Sequence, residues 1–222
     1  MVGVLYIALE PYLRRRWPQS LISWTRLLAG DVRDPLVAGH ILIGTALAVG
    51  LALLGNLRNL FDWQSSGVLS LSSGTISTLD GAGLAGLLLA GMFGPAAIAM
   101  IFSFVFFLFR LMFRNTWAAA AAFVALFGGL DVATAVNPFS GVLYAAAEYS
   151  LFVWVMIRFG ILPLALVTLS IILVGVPLTS DLSAWYADKG LIVVALILGL
   201  AVWSFRNALG GRKVLKGDFL EQ

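Results

Sequence analysis

The chain has 222 residues, of which 61% are hydrophobic and 11% charged, with a formal net charge of +3 and a mean hydropathy of +0.99. That composition excludes a water-soluble core, and the lack of any cysteine excludes disulfides, thiolate catalysis and thiolate metal sites. His40 is the one histidine, so a histidine-rich metal centre is excluded as well, and the basic surplus reads as membrane orientation rather than a nucleic-acid surface.

The apolar run from Met1 to Leu9 is too short to cross a bilayer. Its basic cluster follows it instead of leading it, unlike a secretory signal. It is expected to be an interfacial anchor or the last turns of a helix from a longer chain. Next, Trp17, Leu21, Trp24 and Leu28 recur at i, i+4, i+7 and i+11, which draws one apolar stripe along a helix over 17–29. Pro18 stands near its start, Ser20 is able to cap it, and Gly30 ends it. With Arg14, Arg15, Arg16 and Arg26 around it, this amphipathic helix is expected either to lie on the inner leaflet with its arginines at lipid phosphates, or to pack on the cytoplasmic face of a bundle.

A hydrocarbon layer about 30 Å thick needs roughly 20 apolar residues at 1.5 Å each. Apolar runs of that order predict spanning helices at about 39–61, 83–110, 116–136, 141–158, 160–178 and 190–206. The expected fold is therefore all-α: an interfacial segment over 1–38, a polytopic bundle of about six spanning helices over 39–206, and a tail over 207–222. Of the 14 Lys and Arg residues, 12 fall on one side of these spans. They are Arg14, Arg15, Arg16, Arg26, Arg33, Arg110, Arg114, Arg158, Arg206, Arg212, Lys213 and Lys216; Arg58 and Lys189 are the exceptions. The positive-inside rule then places both termini in the cytoplasm of a bacterial inner membrane. Trp63, Trp117, Trp154, Trp185 and Trp203 fall near helix ends, where tryptophan favours the headgroup level.

Within the second span, Gly94-Pro95 predicts a kink. Ahead of it Ala82, Gly86, Ala90 and Gly94 form a ladder of small residues that lets another helix approach, either in this chain or in a second copy. The stretch from Gln64 to Asp80, rich in Ser, Gly and Thr, is expected to be the longest external loop.

Ionisable residues inside spans are the default functional sites, because a charge in hydrocarbon is costly. Three qualify: Arg58, Asp131 and Glu148. The short turn Asn137-Pro138-Phe139-Ser140 makes the helices carrying Asp131 and Glu148 antiparallel neighbours, and Arg58 enters the same depth. A cluster of Arg58 with one or both carboxylates is expected, with Tyr144 and Tyr149 as hydrogen-bonding neighbours. It reads either as an ion pair that fixes helix register or as a proton or cation relay. His40, beside Asp34, is expected to serve as an interfacial cap. No His-Glu-x-x-His, Gly-x-Ser-x-Gly or P-loop occurs, so neither an enzyme nor a cofactor is expected.

The stretch from Tyr6 to Gly30, through Glu10-Pro11-Tyr12, Arg14-Arg15-Arg16-Trp17-Pro18 and Ser23-Trp24-Thr25-Arg26, runs on into Asp31-Val32-Arg33-Asp34-Pro35. It resembles the membrane region C-terminal to the catalytic domain in certain large bacterial serine/threonine protein kinases. The likeness resumes at Phe159-Gly160-Ile161-Leu162, at Pro177-Leu178-Thr179-Ser180-Asp181 and on to Trp185-Tyr186, and at Ala208-Leu209-Gly210-Gly211-Arg212. The resemblance implies a kinase-associated membrane module with a cytoplasmic partner. The chain departs from the family in lacking the catalytic domain: it has no His-Arg-Asp and no Asp-Phe-Gly, and Gly217-Asp218-Phe219 is not a kinase motif. The function expected is thus a non-catalytic module that anchors and regulates a signalling partner in the lipid bilayer. The alternative is a small transporter or channel using Asp131 and Glu148.

Overall fold

The computed structural model describes residues 18–67, 81–176, 178–179, 181 and 183–210. Its helices are α1 (Pro18–Leu28), α2 (Pro35–Ser66), α3 (Gly81–Phe113), α4 (Thr116–Ala133), α5 (Pro138–Arg158), α6 (Ile161–Val167), α7 (Ser170–Leu173) and α8 (Ala187–Ala208), with no strand among the described residues. The all-α bundle expected from the apolar runs is the fold.

Polar residues at the helix starts explain where the long elements begin. Asp34 accepts from the N–H groups of Leu36 and Val37 at 2.8 and 3.3 Å, and Pro35 supplies a preset φ at the first helical position of α2. Asn115 caps α4 through Trp117 N–H, and Asn137, followed by Pro138, caps α5 through Phe139 N–H. Gly67, in the left-handed region at φ 67°, closes α2 with its N–H on the Trp63 carbonyl.

Five helical stretches are long and apolar enough to cross a membrane: α2, the Phe93–Phe113 part of α3, α4, α5 and α8. The span expected at 160–178 is different, for it is not one helix. It is broken into the seven residues of α6 and the four of α7. Between them the backbone tightens: Leu169 N–H bonds the Leu166 carbonyl and Ile172 N–H the Leu169 carbonyl, three residues back. Thr168 Oγ1 lies 2.8 Å from the Ala165 carbonyl and 3.2 Å from the Pro95 carbonyl, tying the break to α3 at its proline.

Irregular backbone at membrane depth is tolerated only where protein surrounds it, and here protein does. Ile161, Leu162, Leu164, Val167, Thr168 and Ser170 are all buried. At Gly44 of α2 an added Cβ would lie 2.5 Å from Leu166 Cβ and 2.9 Å from the Pro163 carbonyl oxygen, and at Gly55 it would lie 2.7 Å from Val174 Cγ2. The broken segment therefore climbs beside α2 from Gly44 to Gly55, roughly 16 Å at 1.5 Å per residue. At the far end of the chain Gly210 rests against Pro35, so α8 finishes beside the start of α2.

The core lies where α3, α4 and α5 meet, around Phe102, Phe106, Phe123, Phe127, Tyr149 and Phe152. Phe102 and Phe123 stand edge to face with centroids 5.4 Å apart, and Tyr149 and Phe152 do so at 5.7 Å. Lipid tails are as apolar as these rings, so the cluster holds by close packing and ring geometry, about 0.5–1.5 kcal/mol for a pair, more than by the hydrophobic effect.

The small-residue ladder does not supply this packing. At Gly86 and Gly94 an added Cβ meets nothing within 4 Å, while the side chains of Ala82 and Ala90 lie outside the described residues. Among the described side chains of α3, the buried ones start at Pro95: Pro95 itself, Ala99, Met100, Phe102, Ser103 and Phe106. Close helix approach falls instead at Gly44, Gly55 and Gly141.

Candidate functional site

At the end of the bundle opposite Pro35 and Gly210, α2 continues to Ser66, five residues past the end expected from its apolar run. That extension makes Asp62 helical, four residues after Arg58 and on the same face. Arg58 Nε lies 3.6 Å from Asp62 Oδ2. Asp62 is only 2% exposed and also accepts from Ser140 Oγ at 2.5 Å, which ties α2 to the first turn of α5. The Arg58 guanidinium carbon stands 5.3 Å from the centre of the Tyr144 ring, a cation–π contact. Gly141 makes room nearby for Ala135 in the α4–α5 turn, since a Cβ there would lie 2.8 Å from Ala135 Cβ, while the 3.6 Å to Arg58 Nη2 is ordinary contact.

The expected pairing of Arg58 with Asp131 or Glu148 gives way to the Arg58–Asp62 pair, because an i,i+4 partner on the same helix is nearer than either. Hydrophobicity alone ends this helix at 61 and leaves Asp62 outside it; the Arg58-x-x-x-Asp62 spacing is the sequence signal that brings it in. Of the two other carboxylates, Asp131 accepts at Oδ2 from the Tyr149 hydroxyl at 3.2 Å, and Glu148, one turn after Tyr144 on α5, is 4% exposed.

A cavity of about 310 Å³ opens beside Arg58 between α2 and α5. Leu54, Leu57, Phe61, Phe139 and Leu143 form most of its wall, with Ser140 and Tyr144, and neither Asp131 nor Glu148 lines it. Its apolar wall suits a lipid chain better than a file of water. No group of three or more His, Asp or Glu able to hold a metal ion occurs among the described residues.

At the basic end, α1 packs on α2, α5 and α6. Ser23 is fully buried and Trp24 is 8% exposed, within the same core as Phe106 and Val155. Leu27 packs against that core while Leu28 is 61% exposed, so the docked face is Ser23, Trp24 and Leu27, rotated from the expected stripe. The side chain of Leu21 lies outside the described residues, as do Arg14, Arg15, Arg16 and Trp17. Arg26 pairs within the protein, its Nη1 2.6 Å from Asp34 Oδ2. Partial withdrawal from water pushes the Asp34 carboxyl up, but the N–H groups of Leu36 and Val37 and the Arg26 guanidinium outweigh it and hold Asp34 below its ordinary value. Asp34, not His40, caps α2; His40 sits half-buried with its ring 6.0 Å from that of Phe159.

Charges buried at one end, arginines gathered at the other and membrane-length helices between them define a multi-pass membrane protein. Neither a family model, nor a curated protein, nor a solved structure matches the chain.

Proposed function

We propose that the protein is a non-catalytic module of a bacterial inner membrane, both termini cytoplasmic, that anchors and regulates a cytoplasmic signalling partner of the serine/threonine kinase type. The observation that carries this reading is the insertion of Ser23 and Trp24 from α1 into the core. A segment merely resting on lipid would transmit nothing. A segment joined to α2 through Trp24, the Arg26–Asp34 pair and the Asp34 cap moves with the bundle, so a displacement of either is felt by the other. The orientation is supported by Arg26, Arg33, Arg110, Arg114, Arg158 and Arg206, which all stand at the α1 end. The hydroxyl that Tyr149 donates to Asp131 weighs against an open ion path.

One observation favours the second reading, a proton-coupled transporter. Asp62, Asp131 and Glu148 face a single guanidinium, Arg58, among the described residues of that cluster.

Both readings meet one experiment in native membranes. A photoreactive residue at Leu28, which is exposed, should crosslink to a serine/threonine kinase, and Trp24→Ala should abolish that crosslink and change the kinase's phosphorylation of its substrates. Absence of a kinase crosslink, together with proton flux in liposomes that Glu148→Gln abolishes, would reverse the assignment in favour of transport.

A further inference from the structure

The antiparallel pair α4 and α5 carries a groove of about 760 Å³ on its outward face, within the range of roughly 300–1,000 Å³ typical of ligand sites. Its walls record a local sequence choice. The run Ala118 to Ala122 follows Trp117, and where α4 turns toward α5 it offers Ala120, Ala121 and Ala125 instead of large side chains. Small residues on one helix against Val153 of the other leave a channel.

Three observations identify what fits it. The groove begins at Thr116 and Arg158, at the basic end of the bundle, and runs inward to Ala125 and Ser150. Nine rises along α4, from Thr116 to Ala125, and eight along α5, from Ser150 to Arg158, make it about 12–14 Å long at 1.5 Å per residue. One leaflet of a hydrocarbon layer about 30 Å thick is about 15 Å deep. The length is therefore that of one acyl chain, whereas a partner helix would run the full height of the bundle.

The mouth of the groove is built for an anion at headgroup level. Arg158 stands in the last turn of α5 and lines it, and the N-terminus of α4, an 18-residue helix, opens onto the same point. Arg114, two residues before Thr116, holds a positive φ of 53°, which sets the tight turn that brings the α3–α4 corner to this mouth. No acidic residue lines the groove. Trp117 and Trp154 flank the mouth, 83% and 51% exposed, as tryptophans do at the boundary between tails and headgroups.

We infer that the α4–α5 groove is a binding site for an anionic phospholipid, with the phosphate at Arg158 and the start of α4 and one acyl chain along Ala121 and Ala125 between the two tryptophans. It would make the bundle responsive to the charge of the leaflet that surrounds α1.

Native mass spectrometry of the full chain in mild detergent tests this with phosphatidylglycerol, phosphatidylcholine of the same acyl chains, and inorganic phosphate. The expected result is a phosphatidylglycerol adduct on the monomer at concentrations about tenfold lower than phosphatidylcholine needs, and no phosphate adduct. Arg158→Gln should weaken phosphatidylglycerol about five- to tenfold and leave phosphatidylcholine unchanged. Ala121→Leu, which fills the groove, should weaken both. Arg33→Gln removes the same charge elsewhere at the basic end and should change neither. Equal binding of the two lipids, equal losses from Arg158→Gln and Arg33→Gln, or lipid binding untouched by Ala121→Leu would each overturn the assignment. So would a phosphate adduct that displaces the lipid, the mark of a soluble-anion site, or a dimer that Ala121→Leu abolishes, the mark of a second copy in the groove.

Discussion

The two ends of this bundle handle charge in opposite ways. At the Asp62 end, Arg58, Asp62 and Glu148 are withdrawn from the surface, and the partners of Asp62 come from the chain itself: a guanidinium and a serine hydroxyl. At the α1 end, Arg33, Arg114, Arg158 and Arg206 are exposed, and the Arg26–Asp34 pair sits at the surface. Buried charge without a partner is expensive, so the first end is self-contained; exposed charge is cheap, so the second can face water and lipid headgroups.

The sharpest way to break that contrast is to orphan the buried guanidinium. Asp62→Ala leaves Arg58 without its counter-charge and should cost about 3–5 kcal/mol of stability in detergent, read by thermal unfolding. The double variant Arg58→Leu with Asp62→Leu should regain most of the loss, because two apolar groups leave nothing unpaired. An equal loss in both variants would show that side-chain volume, not charge, sets the cost.

At the opposite end the largest effect is one of packing. Trp24→Ala should cost about 3 kcal/mol, and hydrogen exchange should localise it to residues 18–34 and the start of α2, with the Asp62 region protected as before. Faster exchange at Asp62 and Ser140 as well would mean that the two ends are coupled through α2.

Sequence periodicity and hydropathy reach some of this and not the rest, for physical reasons. Apolar length marks the long helices, because hydrocarbon thickness demands it. Apolar composition is blind to the break at Thr168, since α6 and α7 are hydrophobic all round and a buried helix and a buried turn look alike; Gly160, Pro163, Thr168 and Ser170 are the traces it leaves. The spacing of Trp17, Leu21, Trp24 and Leu28 predicts a helix but does not say what its apolar face meets, since lipid and protein core are equally apolar. Structure chooses protein for Trp24. That α4 and α5, which carry Asp131 and Glu148, are antiparallel neighbours is legible from the length of their turn, whereas Asp62 is hidden because its helix outlasts its hydrophobicity by more than a turn.

Smaller effects sharpen the account of the buried cluster. Tyr149→Phe removes the hydroxyl that Asp131 accepts from and should cost about 1.5 kcal/mol, the range for a hydrogen bond to a charged group. Glu148→Gln keeps the shape and a hydrogen-bonding head beside Tyr144, so unfolding should shift by less than about 0.5 kcal/mol. A large loss from Glu148→Gln would mean that a carboxylate charge at this depth has a cationic partner beyond Arg58.

The smallest expected effect lies at the exposed pair and depends on pH. Asp34 has its carboxyl held below the ordinary value in the folded chain, so its ionised form is the one the fold favours. The sign follows: the contribution of Asp34 to the first turn of α2 is present above the unfolded value near about 4 and is lost as pH falls through the lowered folded value. Hydrogen exchange at the Leu36 and Val37 amides, corrected for intrinsic rates, should rise over that acid window. Asp34→Asn should remove the pH dependence while keeping a capping oxygen. Arg26→Gln should move the onset upward in pH, toward the ordinary carboxylate range, because one of the groups that hold the carboxyl down is gone. Exposed pairs are weak, so the change should stay within the α1–α2 junction and leave Asp62 and Ser140 unmoved; if acid loosened both ends together, the self-contained character of the buried end would be lost, and with it the division of labour between them.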